Sequence, residues 1–110
     1  MEMMLVKRIS TELKETESDV RGVLQASLLE AWGGFAADRF PARESAKALM
    51  GQIDARKEEF SSTDLDLLMS TLEFSLRELG PEEFETITGY DYSFGATTLA
   101  EVKKFAKEQG

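Results

Sequence analysis

The sequence predicts an all-α fold, a single-domain bundle of four long helices and one short one over residues 1–110. Three observations carry that prediction. Apolar residues recur at helical spacing in segment after segment. Three pairs, Thr16/Asp19, Ser61/Asp64 and Thr98/Glu101, have the spacing of a capping box, in which a hydroxyl and a carboxylate satisfy free N–H groups at a helix start. Gly33-Gly34, Pro41, Gly80-Pro81 and Gly89 stand between the periodic segments, where stops and first turns belong.

The best-marked element is residues 61–80. Leu65, Leu68, Met69, Leu72, Leu76 and Leu79 fall within about 100° of arc, the width of a core-facing stripe. Gly80 can take the left-handed conformation that ends a helix, and Pro81 cannot continue one. Leu67 and Phe74 lie about 180° from that stripe. Two lone surface residues would account for them. Otherwise this helix is covered on two sides, by a sixth element or by a second subunit, and Leu67 and Phe74 then form a dimer face.

The other elements follow the same logic. Leu5, Val6, Ile9 and Leu13 share one side of a helix over residues 3–13, although residues 3–6 also fit the start of a strand. Val20, Val23, Leu24, Ser27, Leu28 and Ala31 form the inner stripe of a second helix, capped at Thr16 and stopped by Gly33-Gly34. These two helices also read as one longer element broken near Glu17. Ala42, Ala46, Leu49, Ile53 and Phe60 align along a helix over residues 42–59, with Pro41 in its first turn. Residues 81–87 read as a short helix with Phe84 and Ile87 inward and Gly89 as its stop. Residues 90–98 read as an aromatic loop. Leu99, Val102, Phe105 and Ala106 give the apolar side of a last helix beginning at Thr98.

Composition narrows the chemistry. The chain has no Cys and no His, which removes thiol catalysis, disulfides, the usual general base and the commonest metal ligand. An enzyme here would work with carboxylates, Lys, Tyr or Ser. Asp54 and Glu58 share one predicted face but lack a third ligand, so neither a metal nor a cofactor is expected. The net charge of −8 is uneven, with eight acids and one Arg in residues 61–95. Such a domain is repelled by nucleic acid and by anionic membranes. Residues 1–6 are too short for a signal-peptide apolar region, and no run approaches a membrane span, so a cytoplasmic location is the expectation.

Six of the ten aromatics fall in two predicted loops, Trp32, Phe35 and Phe40, then Tyr90, Tyr92 and Phe94. Either these loops fold back to plug the ends of the core, or they present aromatic rings to a partner. Tyr90 and Tyr92 flank Asp91 and keep a polar tip. Together with the acids they make a surface suited to a basic protein, in which charge speeds encounter and rings supply short-range energy. The candidate contact residues are Asp66, Glu73, Glu82, Glu83, Tyr90, Asp91 and Tyr92. The expected function is thus a small acidic protein-binding module, an immunity or regulatory factor that is not an enzyme and has no catalytic residue. The alternatives are a homodimeric interaction protein joined through Leu67 and Phe74, and a small-molecule or carboxylate-based enzyme site lined by Trp32, Phe35 and residues 90–94.

The run LRELGPEEFETITGY, from Leu76 to Tyr90 and followed by a short last helix, resembles the C-terminal half of small uncharacterised bacterial helical proteins, some of which accompany toxin systems. The likeness covers about a third of the chain and consists mainly of turn and cap chemistry. An acidic helical protein carrying tyrosines is also similar in general character to nuclease-toxin immunity proteins. The resemblance implies an all-helical fold and a protein partner, and it assigns no functional residue.

Overall fold

The chain folds as three long helices with two shorter ones packed against them. A computed structural model describes residues 4–34 and 36–109. The elements are α1 (Leu5–Leu13), α2 (Glu17–Gly33), a single 3-10 turn (Ala37–Arg39), α3 (Arg43–Asp54), α4 (Ser62–Thr88) and α5 (Tyr92–Gln109). No strand occurs among the described residues. The five α-helices of the described residues make one globule of 40 × 26 × 24 Å, and the strand reading over residues 3–6 gives way to helix from Leu5 onward, with Met3 outside the described residues.

The caps form where the side chains permit them. Thr16 accepts the Asp19 N–H at 3.0 Å and starts α2. Ser61 and Asp64 complete a reciprocal box, with the Ser61 hydroxyl accepting from the Asp64 N–H and the Asp64 carboxylate from the Ser61 N–H. The break between α1 and α2 falls at Lys14, which takes a left-handed φ of 57°. All six expected residues of the α2 stripe are buried, and Leu5, Val6 and Ile9 bury the inner side of α1. Arg8 of α1 pairs with Glu108 of α5 and stacks over the Phe105 ring, which ties the chain's two ends together.

Two expectations about element boundaries are corrected, whereas the break expected at Gly80-Pro81 is present: Gly80 leaves helical geometry (φ 73°, ψ 174°), and α4 consists of two helical stretches joined across that kink. Helix α3 stops at Asp54 rather than Glu59, because the chain reverses through Arg56 at φ 65°. Helix α5 begins at Tyr92, not Thr98. Asp91 precedes its first turn and accepts from the Ser93 N–H and hydroxyl at 3.3 and 2.9 Å. Thr98 is accordingly buried inside α5 and caps nothing.

The second apolar side of α4 is also resolved. Phe74 is only 4% exposed, and the Phe40 ring lies edge-on to it at 5.2 Å. The sixth element is thus the segment around the 3-10 turn, which folds back over α4 and brings Arg39 to Glu78 at 2.9 Å. Leu67 is half-buried against the same core. Phe74 is therefore an interior residue, which corrects its expected place on a dimer face. Phe74→Asp is expected to unfold the protein rather than release a folded monomer. Phe74→Ala should cost about 3–5 kcal/mol in urea unfolding. A Phe74→Asp protein that keeps its helical circular-dichroism spectrum and gains solubility would contradict this packing.

Candidate partner-binding surface

The acidic third of the chain is split by the kink at Gly80. Asp66 and Glu73 lie before it, both exposed. Glu73 meets Lys103 of α5 at 2.9 Å, so part of its charge is already compensated within the fold. These two residues precede the kink, whereas the remaining candidates follow it. Glu82, Glu83 and Asp91 are exposed after the kink, with Tyr90 and Tyr92 half-buried beside them.

Tyr90 organises that second group. Gly89 takes a left-handed φ of 79° and turns the chain out of α4. The Thr88 hydroxyl then accepts the Tyr90 N–H at 3.1 Å. The Tyr90 ring reaches across to α2, where Gly22 leaves it room, and a Cβ at Gly22 would overlap the phenol oxygen. Phe94 flanks the ring at 5.8 Å. Burial raises the Tyr90 phenol above its ordinary value, and the nearby Asp19 carboxylate adds to the rise, since both disfavour a phenolate. Tyr92 points another way. Its ring meets Phe84 edge-on at 5.9 Å, so much of its area serves the interior.

Beside Tyr90 lies an open cleft of about 560 Å³. Its walls include Glu15, Asp19 and Asp91, the Tyr90 and Phe94 rings, and Thr97. No Lys or Arg lines it among the described residues. The acids have local roles as well. Asp19 sits in the first turn of α2, and Asp91 caps α5, where a carboxylate offsets the positive helix end. Phe94 belongs to the aromatic group singled out by sequence, whereas nothing in the sequence points to Glu15, Asp19 and Thr97 as its neighbours. Asp19 and Tyr90 come together only through tertiary packing, and the local sign of it is Gly22, a glycine in the interior of a helix.

The other aromatic group divides between core and surface. Phe40 plugs the core, and Phe35 lies outside the described residues. Trp32 is half-buried at the end of α2 with Arg43 and Lys47 over its ring, at 5.4 and 4.6 Å from the centroid. Trp32 and Tyr90 belong to opposite ends of α2, so they do not line one pocket. Ile87, expected inward, is 50% exposed. Asp54 lies in α3 and Glu58 beyond its end, which undoes their shared helical face. Among the described residues no three His, Cys, Asp or Glu side chains converge as metal ligands. No described helix is long and apolar enough to cross a membrane.

The raised phenol fixes a pH dependence. A group whose folded value lies above its unfolded value of about 10 stabilises the fold below that pH. That contribution is lost as pH rises through the folded value. Ultraviolet titration should place Tyr90, identified by its absence in Tyr90→Phe, above the ordinary tyrosine value, and Asp19→Asn should bring it part of the way back. A Tyr90 that titrates at the ordinary value in the folded protein would contradict the contact with α2. In comparisons with known proteins, no protein-family model, curated protein or solved structure matches this chain.

Proposed function

We propose that this chain is a small, non-enzymatic binding protein whose acidic, tyrosine-bearing surface engages a basic protein, in the manner of an immunity or regulatory factor. The observation that supports this reading is the cleft beside Tyr90, where three carboxylates and two aromatic rings meet with no cation among the lining residues. Glu82, Glu83 and Glu85 extend the same sign of charge along the exposed side of α4 after the kink. Long-range attraction from these groups would speed encounter, and Tyr90 and Phe94 would supply the short-range contact area. The contact surface in this reading is Glu82, Glu83, Tyr90 and Asp91, with Glu15 and Asp19 added from the other side of the cleft. Asp66 and Glu73 then belong to its periphery.

The test is a titration. A partner retained by the immobilised chain is purified and its affinity measured by calorimetry at low and moderate salt. It is then measured again with Glu82→Lys/Glu83→Lys. Affinity should fall at least about tenfold with each change, because exposed charge pairs are screened and reversal turns attraction into repulsion. An affinity indifferent to salt and to charge reversal would remove the reading.

A further inference from the structure

Residues 81–88 are bracketed by Gly80 and Gly89, which take φ values of 73° and 79°. Neither glycine has a neighbour within 4 Å of where a Cβ would stand, so backbone conformation and not crowding selects glycine there. Between them, Pro81, Glu82, Glu83, Glu85, Thr86 and Ile87 are exposed. Phe84 alone is fully buried, at 0% exposure, and Thr88 is half-buried. The side-chain hydrogen bonds of the segment stay local. Thr86 donates to the Glu82 carbonyl at 3.0 Å, and Thr88 donates to the Phe84 carbonyl at 2.6 Å and exchanges bonds with Tyr90. None of the ion pairs among the described residues includes Glu82, Glu83 or Glu85.

Within residues 81–88 the one fully buried side chain is Phe84, and the next anchor, Tyr90 on Gly22 of α2, lies beyond the Gly89 hinge. Phe84 inserts beside Leu76 and over Gly95 of α5, with the Tyr92 ring at its edge. We propose that residues 81–88 form a hinged strap, latched by Phe84, which lifts as a unit while α2, α3 and residues 62–79 of α4 stay folded. Lifting uncovers an apolar patch formed by Val23, Leu76 and the Gly95 side of α5, the smaller of the two apolar clusters. The acidic segment is then both a surface and a cover. The proposal does not rest on the identity of any partner. Regions with few buried contacts open at a lower free energy than the global value, and this segment has a single fully buried contact residue.

Native-state hydrogen exchange on the whole chain, at increasing sub-denaturing urea, tests the strap. The amides of Glu85, Thr86, Ile87 and Thr88 should exchange at least about a hundredfold faster than those in the centre of α2 and should share one denaturant dependence. A second arm uses Gly95→Ala. Its new Cβ would stand 2.6 Å from Phe84 Cζ and 2.9 Å from Cε1, while alanine favours the α5 helix at that position. Exchange of the four amides should rise at least about tenfold further, with α2 and α3 unchanged. Exchange of these amides only with the α2 core overturns the proposal. So does independent fraying with unequal denaturant slopes, or a Gly95→Ala effect spread evenly over all helices.

Discussion

The packing of α2 against α4 is the constraint on which the other elements depend. Leu24 and Leu28 on one helix and Leu68 and Leu72 on the other are fully buried. Ser27, Thr71 and Ser75 are buried in the same two helices, and the Ser75 hydroxyl donates to the Ser27 carbonyl at 3.2 Å. The magnitudes separate their roles. Each leucine contributes about 1.5–3 kcal/mol by burial. One net hydrogen bond contributes about 0.5–1.5 kcal/mol. The leucines thus supply the strength of the contact, and the small hydroxyl residues set how closely the two backbones approach. With that wall in place, α1 and α5 close one side through Leu5, Ile9, Val102 and Phe105, and α3 closes another through Ala46, Leu49 and Ile53.

The same helix α2 links core to surface. Its inner stripe faces the larger cluster, Val23 belongs to the smaller one with Leu76 and Phe84, and its edge at Gly22 receives Tyr90. Acids from three separate stretches meet at that edge. Glu15 comes from the connection after α1, Asp19 from the start of α2, and Asp91 from the start of α5. Each is stable there for a local reason, as part of a turn or beside a positive helix end. Their sum is a negative field around a half-buried aromatic pair. Trp32, at the other end of α2, sits beneath Arg43 and Lys47 instead.

What the sequence reveals follows from the range of each interaction. The α2 stripe, the Thr16 cap, the Ser61/Asp64 box and the Gly80 break are local, and each is readable from residues within one or two turns. The misreadings share a different cause. Gly95 looks like a loop residue in an aromatic-rich stretch, yet it lies on the buried face of α5 with Thr98, Val102 and Phe105 because Phe84 occupies the space of its side chain. Phe74 looks exposed by periodicity because its cover, Phe40, comes from a connection with no period of its own. The candidate surface was half readable for the same reason. Glu82, Glu83, Tyr90 and Asp91 are close in sequence, whereas Asp19 and Gly22 reach Tyr90 only through the fold, and Asp66 and Glu73 are separated from it by the kink at Gly80.

The central claim is that Tyr90 anchors the acidic segment to α2 at Gly22 and so shapes the cleft beside it. The most direct measurement is a nuclear Overhauser spectrum of the free protein, with the Tyr90 ring assigned by comparison with Tyr90→Phe. The account predicts cross-peaks from the Tyr90 ring protons to the Gly22 Hα protons and to the Phe94 ring. A Tyr90 ring that shows contacts only to its sequence neighbours, with Gly22 Hα touching no aromatic proton, would contradict it.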